Sequence, residues 1–164
     1  MWYAELWNAT SISDAMDRIL TVGSEAEFLR RGREHADIIL KEAPTGKILD
    51  YGCGIGRVLR FLPRHRVEGY DSSERMRTLA MEWCGRTVLS SLEGKDDYYD
   101  AIFEILVLQH DPVGEHITIM VKCLKKGGKL ISVRTFYMPI PLIPLRIERW
   151  FMQGLEVVTV YVKD

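Results

Sequence analysis

One segment, residues 47–71, constrains the fold of this chain more than any other. Residues 47–51 predict a short apolar strand, after which glycines alternate at Gly52, Gly54 and Gly56. Glycine tolerates positive φ and lets a ligand contact bare backbone. A helix is predicted to follow, and its first N–H groups would be unpaired and carry positive potential. This strand–loop–helix pattern predicts a site for a nucleoside cofactor.

The rest of the chain alternates strand and helix patterns. Strands are predicted at residues 66–70, 87–90, 101–108 and 129–135, and helices at residues 26–42, 57–62, 73–84 and 115–124. Such alternation predicts an α/β fold with a doubly wound, mostly parallel sheet. Ligands of these sheets bind beyond the carboxyl ends of the strands, where the strand order reverses.

Length and composition predict one domain over residues 1–164. The chain has 47% apolar and 27% charged residues, the proportions of a globular protein. We expect residues 1–46 to form a helical cap and residues 47–135 to form the cofactor-binding core. Residues 136–164 are expected to hold a proline-rich segment, a short helix and one last strand.

Composition and charge disfavour several classes of protein. The first ten residues include Glu5 and no apolar run, and no segment is suited to crossing a bilayer, so a cytoplasmic location is expected. The net charge of −1 gives no positive field to attract nucleic acid. Cys53, Cys84 and Cys123 lie far apart without a CxxC or Cys/His cluster, which predicts reduced thiols and no metal site.

Two classes of cofactor use glycine loops of this kind. The dinucleotide fingerprint GxGxxG would need its third glycine at position 57, which is Arg57, whereas the third glycine is Gly56. An acid, Asp50, also precedes Gly52 by two residues. The pattern Asp-x-Gly-x-Gly-x-Gly resembles the first motif of the class I, Rossmann-like S-adenosylmethionine-dependent methyltransferases.

Four further segments resemble the same family, in the same order along the chain. Residues 67–71 are similar to its second strand and the acid that ends it, and residues 99–103 to the start of its fourth strand. Leu108-Gln109-His110 resembles its LxH turn, and residues 124–130 resemble its entry to the fifth strand. The resemblance implies S-adenosylmethionine as the cofactor and S-adenosylhomocysteine as the product.

The resemblance also implies roles for single residues. The cofactor-binding residues that it implies are Asp50, Gly52, Cys53, Gly54, Gly56, Asp71, Ser72, Ser91, Leu92, Ile105 and Leu106. Asp71 would bind both ribose hydroxyls, since a carboxylate accepts two hydrogen bonds side by side. Ser72, Ser91 and Leu92 would flank the adenine, and because the acid that the family commonly has there is absent, Ser91 or Glu93 would have to substitute for it. Arg33 is our candidate for the methionyl carboxylate, with Arg30 and Arg31 as alternatives.

Two ionisable residues flank the expected reaction site, Glu104 and His110. Glu104 is a candidate to bind the methionyl ammonium, to orient a substrate amine or to pair with an arginine. His110 has the intrinsic pKa of a general base, although a histidine there often caps the turn in this family. His116 is expected on a solvated helix face, and His35 carries no signal.

The two ends of the chain are less regular. Residues 136–145 are apolar with three prolines, which predicts a loop folded on the core, a pocket wall or a dimer contact. A helix over residues 146–153 and a strand over residues 155–162 would leave the family's final antiparallel strand missing or supplied by a partner. Trp2, Tyr3 and Trp7 are candidates for a lid over the cofactor or for a hydrophobic anchor.

The leading interpretation is a methyltransferase that acts on an oxygen or nitrogen of a small molecule or an exposed side chain. The alternative is a non-catalytic or partner-dependent S-adenosylmethionine-binding subunit, because the chain is small and lacks a clear catalytic base. A third interpretation, a nucleotide-dependent oxidoreductase, predicts nicotinamide binding. A nucleic-acid acceptor is disfavoured, since no Asn-Pro-Pro-aromatic or Pro-Cys motif follows the fourth strand. A homodimer would form through residues 136–145 or the last strand.

Overall fold

The computed structural model describes residues 7–19, 23–110, 114–136 and 143–164 of the chain. Helices α1 (Ile12–Ile19) and α2 (Glu25–Glu42) precede the first strand. Helix α2 begins after Ser24, whose hydroxyl oxygen accepts a hydrogen bond from the backbone N–H of Glu27 at 3.2 Å. No helix in the described ranges has the length and apolar character needed to cross a membrane.

Seven strands form one sheet in the described part of the chain. They are β1 (Ile48–Tyr51), β2 (Val67–Tyr70), β3 (Val88–Leu89), β4 (Tyr99–Ile105), β5 (Leu124–Thr135), β6 (Arg146–Gln153) and β7 (Glu156–Val162). Their order is β3-β2-β1-β4-β5-β7-β6, with β1 to β5 parallel and the last two strands antiparallel. The predicted doubly wound, mostly parallel α/β sheet is confirmed.

Apolar side chains cover both faces of this sheet. Helices α3 (Glu74–Cys84) and α4 (Glu115–Cys123) follow β2 and β4 along the chain. Along β1, Ile48 joins one buried cluster and Leu49 joins the other, because successive residues of a strand point to opposite faces. The strand order reverses between β1 and β4, so the carboxyl ends of these strands frame the expected ligand crevice.

Two predicted helices are wrong. Residues 146–153 form strand β6, so the final antiparallel strand that they were expected to leave missing is present. The chain turns after β6 at Gly154, which has a φ of +61°. Strand β6 then pairs with β7, with Gln153 opposite Glu156 at one end and Arg146 opposite Val162 at the other. Residues 57–62 form turns and a single 3-10 turn at Leu59–Phe61, and Pro63 prevents further helix.

Candidate functional site

A cavity of about 810 Å³ opens at the carboxyl ends of β1, β2 and β4. Its walls are the glycine loop, residues 70–75, residues 105–110 and parts of the N-terminal helical region. The volume lies within the range of about 300–1,000 Å³ that is typical of small-molecule sites. The cavity is therefore where the reversal of strand order predicts a ligand.

Gly52 and Gly54 of the glycine loop contribute bare backbone to this cavity, whereas Gly56, also predicted to bind the cofactor, is not among the described lining residues. Gly52, Gly54 and Gly56 have φ values of +71°, +55° and +82°, which other residues rarely adopt. A Cβ atom on Gly52 would lie 2.6 Å from a methyl carbon of Val107, and one on Gly56 would lie 2.5 Å from Cys84 Sγ. The glycines are thus required by backbone conformation and by close packing.

Asp71 joins the end of β2 to the glycine loop. Its carboxylate accepts hydrogen bonds from the backbone N–H of Gly54 at 2.8 Å and from that of Ser73 at 2.9 Å. Burial raises the pKa of Asp71, and the two backbone donors act in the opposite direction. Because a carboxylate has about four lone-pair positions, this side chain can accept two more hydrogen bonds from a ligand in the cavity.

Asp50 and Arg57 place a carboxyl group and a guanidinium group on the inner wall of the cavity. Burial raises the pKa of Asp50 well above its ordinary value, and the positive charge of Arg57 acts against that rise. Burial also lowers the pKa of Arg57 to about 10, so the guanidinium stays charged at neutral pH. Arg57 was not predicted as a site residue, and its position directly after the third glycine was the available signal.

The arginine expected to bind the methionyl carboxylate does not reach the cavity. Arg33 is exposed, and its guanidinium lies 4.7 Å from the ring centre of Phe61. Arg30 pairs with two glutamates of its own helix and Arg31 pairs with Glu156. Since α2 turns this face away from the cavity, the described arginines on its wall are Arg18, Arg57 and Arg75.

The predicted adenine contacts are only partly brought together. Ser72, Ile105 and Leu106 line the cavity, as expected for cofactor contacts. Ser91 is exposed and Leu92 is buried in the apolar core, so neither is among the described lining residues. The loop after β3 therefore contributes less to the cavity than the resemblance implies.

Aromatic side chains form the wall on the α4 side. The rings of Tyr51 and Tyr70 lie 5.0 Å apart, and the Tyr51 hydroxyl lies 2.8 Å from His116 Nδ1. His116 was predicted on a solvated helix face, and that prediction is wrong because its ring lines the cavity. In the sequence, the position of His116 at the start of α4, next to the apolar Ile117, was the signal that could have indicated a partly buried ring.

Glu104 serves the architecture of the site rather than the cavity itself. The side chain is fully buried, and its carboxylate accepts hydrogen bonds from the backbone N–H of Val107 at 2.9 Å and of Leu108 at 3.1 Å. It also accepts a short hydrogen bond from the Ser132 hydroxyl on β5. Burial raises the pKa of Glu104 to about 7. Glu104 is not among the described lining residues, so its bonds fix the turn after β4 instead.

His110 does lie on the cavity wall, at the end of the turn Leu108–His110. The ring of Trp7 meets it edge-on with 5.6 Å between ring centres, and the Gln109 amide nitrogen lies 3.1 Å from His110 Nε2. Burial lowers the pKa of His110, so the imidazole is neutral at pH 7. The other aromatic lid candidates, Trp2 and Tyr3, and residues 137–142 of the proline-rich segment lie outside the described residues.

The remaining predictions concern sulfur and metal ligands. Cys53, Cys84 and Cys123 are all buried free thiols, and Cys53 lines the cavity beside the glycine loop. Burial raises the pKa of the Cys53 thiol well above its ordinary value, which keeps it protonated and unreactive. Within the described ranges, no group of three or more His, Cys, Asp or Glu side chains could hold a metal ion.

Comparison with known proteins gives one family match. The model of a family described as a methyltransferase domain matches residues 49–132, slightly more than half of the chain. No protein of curated function matches the sequence. The matched residues run from β1 into β5 and include the glycine loop, Asp71 and the turn at His110.

Solved structures with the same fold span nearly the whole chain. Magnesium protoporphyrin IX methyltransferase from Synechocystis PCC 6803, solved with bound S-adenosylhomocysteine, has 16% identity and a TM-score of 0.71, covering 99% of this chain and 98% of its own. A protein of Pyrococcus horikoshii OT3 has 18% identity and a TM-score of 0.70, with 90% and 96% covered. A possible histamine N-methyltransferase from Thermotoga maritima has 17% identity and a TM-score of 0.64, with 84% and 92% covered.

Proposed function

Because this chain belongs to the methyltransferase domain family, it is an S-adenosylmethionine-dependent methyltransferase, and we propose that Asp71 and the glycine loop hold that cofactor in the cavity. When bound, the cofactor supplies an electrophilic methyl group. The protein then has to position an acceptor oxygen or nitrogen and exclude water. A small molecule or an exposed side chain can supply that atom.

The chemistry of the cavity wall fits the groups of S-adenosylmethionine. The Asp71 carboxylate accepts two backbone hydrogen bonds, and its remaining lone-pair positions suit two ribose hydroxyls. Asp50 offers carboxyl oxygens that can accept hydrogen bonds from an ammonium group, and Arg57 offers a positive charge for a carboxylate, as the two ends of an amino acid require. Asp71, held by the glycine loop at the floor of the cavity, is the observation that carries the proposal.

We expect Asp71→Ala to weaken S-adenosylhomocysteine binding by roughly 1.5–3 kcal/mol, since the hydrogen bonds removed involve a charged group. Calorimetric titration of the product measures this loss directly. Glu82→Ala is the matched control, because Glu82 is an exposed acid on helix α3 and is not among the described lining residues. Equal affinities of Asp71→Ala and the wild type would show that the ribose binds elsewhere. Binding of NAD in place of S-adenosylhomocysteine would refute the cofactor itself.

The acceptor is proposed to bind beside the contacting rings of Trp7 and His110. These two rings meet at the cavity wall next to Val107, in the loop that follows β4. One structural neighbour is a magnesium protoporphyrin IX methyltransferase and another is described as a possible histamine N-methyltransferase, so the shared fold leaves the acceptor open. Incubation with labelled S-adenosylmethionine and separate pools of hydroxylated and amine compounds would identify the acceptor class.

We also propose that the enzyme forms a homodimer through the outer edge of β6, for which no partner strand exists among the described residues. Trp150 on this strand is 65% exposed, and Leu155 in the adjoining turn is 74% exposed. Exposed apolar side chains on a free edge strand commonly mark a contact surface. Arg149 and Glu148 on this strand already pair with Glu42 and Lys129 of the same chain, so the apolar side chains would carry the contact with a second copy.

Trp150→Asp is therefore expected to shift the protein from dimer to monomer in light scattering coupled to gel filtration. The substitution puts like charges at the centre of an apolar contact. Met81→Asp is a suitable control, because Met81 is 48% exposed on helix α3. A wild-type protein that is already monomeric at micromolar concentration would refute the dimer.

Two finer proposals concern the surroundings of the enzyme. We propose a reducing, cytoplasmic compartment, because the three cysteines are free thiols. We further propose that nucleic acid is not the acceptor, since the chain has a net charge of −1 and gains no general attraction to phosphates. Filter binding of labelled RNA and DNA at low salt tests the second proposal.

A further inference from the structure

A buried chain of ionisable side chains connects helix α2 and strand β7 with the cavity. Glu156, the first residue of β7, accepts a hydrogen bond from Arg31 and lies 2.7 Å from His35 Nε2. His35 Nδ1 lies 3.1 Å from Nη1 of Arg57. His35, Glu156 and Arg57 are each less than 5% exposed. The cavity wall is thus joined to a strand from the opposite end of the sequence.

The partners of His35 determine its protonation. A guanidinium only donates hydrogen bonds, so Nδ1 of His35 accepts one from Arg57. Nε2 of the same ring then carries the hydrogen and donates it to the Glu156 carboxylate. This arrangement requires the neutral imidazole, in agreement with burial, which lowers the pKa of His35. His35 therefore acts as a neutral link between a cation and an anion.

Arg57 retains unused donor capacity at the cavity. Its Nε atom is buried and has no hydrogen-bond partner within the described structure. Arg57 fits against α2 because position 32 is glycine, where a Cβ atom would lie 2.6 Å from the Arg57 carbonyl oxygen and 3.0 Å from its side-chain Cγ. A buried polar group without a partner destabilises the folded state unless a ligand satisfies it. Because Arg57 also lines the cavity and stays charged, its guanidinium is suited to receive an anionic group there.

We propose that Arg57 binds the carboxylate of the methionyl part of the cofactor, and that His35 and Glu156 are positioning residues that orient its guanidinium. The inference rests on the proposed function, because it assigns one group of the same cofactor. Asp50 lies on the same wall and suits the ammonium group. Arg18 is a weaker candidate, since it lines the cavity but already pairs with Asp14 at 2.8 Å.

The test compares two ligands that differ only in the amino-acid part. S-adenosylhomocysteine carries the carboxylate, whereas 5′-methylthioadenosine keeps the adenosine and sulfur and lacks it. We expect Arg57→Gln to weaken S-adenosylhomocysteine binding by at least about tenfold and to leave 5′-methylthioadenosine binding unchanged. Arg60→Gln is the matched control, because Arg60 is an exposed arginine that stacks on Trp83 at 4.8 Å. Arg57→Lys keeps the charge and provides a second variant if Arg57→Gln does not fold.

The positioning role is tested with Glu156→Gln and His35→Asn in the same pair of titrations. A smaller but still ligand-selective loss, with a raised KM for S-adenosylmethionine and an unchanged kcat, supports the proposal. An equal loss for both ligands would overturn it, because a merely structural defect would not discriminate between them. A selective loss in Arg18→Gln but not in Arg57→Gln would also overturn it. If the wild type binds neither ligand, the proposed function itself fails.

Discussion

His110→Asn is expected to lower kcat by at least about 100-fold, the lower end of typical losses when a general base is removed. His110 lines the cavity directly after β4, and burial keeps its imidazole neutral at pH 7. The Gln109 amide nitrogen lies 3.1 Å from His110 Nε2, and in the neutral ring this nitrogen can accept a hydrogen bond. We propose that this nitrogen accepts the proton that the acceptor loses on methylation.

Two further measurements distinguish this role from a role in folding. The rate should be constant at neutral pH and should fall as the pH drops through the lowered pKa of His110, below its ordinary 6.5, because imidazolium cannot accept a proton. Affinity for S-adenosylhomocysteine should be the same in His110→Asn and the wild type. If His116→Asn shows the large loss in kcat instead, the base is the pair of Tyr51 and His116.

The second large effect concerns Glu104 and is an effect on stability. Its pKa is about 7 in the folded protein and 4.5 ordinarily, so folding favours the protonated form. The stability that this group contributes is complete below pH 4.5 and is lost as the pH rises through 7. Each unit of pKa shift corresponds to about 1.4 kcal/mol, so the free energy of unfolding should decrease by about 3 kcal/mol on this account.

Glu104→Gln isolates this contribution. A glutamine keeps the shape of the protonated acid, and its carbonyl oxygen can accept the N–H groups of Val107 and Leu108. Between about pH 5 and about pH 8, urea unfolding should show a free energy of unfolding that falls by about 2.5 kcal/mol less in the variant than in the wild type. Glu93→Gln serves as the exposed control. Parallel pH dependences for Glu104→Gln and the wild type would contradict the assignment.

The sequence predicted the core of the fold well because its signals are local. Strand β1 and the loop after it follow from an apolar run and from glycines at three positions where φ is positive. The acid that ends β2 was placed correctly at the cavity, since parallel strands bring their carboxyl ends to one edge. Strand β6 was missed because its pairing with β7 overrides the weak helical preference of residues 146–153.

The site residues also fall into two groups, those set by local sequence and those set by tertiary packing. By itself the sequence determined the glycine loop, Asp71 and the place of His110, because backbone conformation and strand ends are set by neighbouring residues. Only the tertiary structure decided that Glu104 bonds to the turn after β4 and that Arg57, not Arg33, faces the cavity. The physical reason is that a long charged side chain follows the partners that packing brings to it, and Arg57 meets His35 and Glu156 from distant parts of the chain.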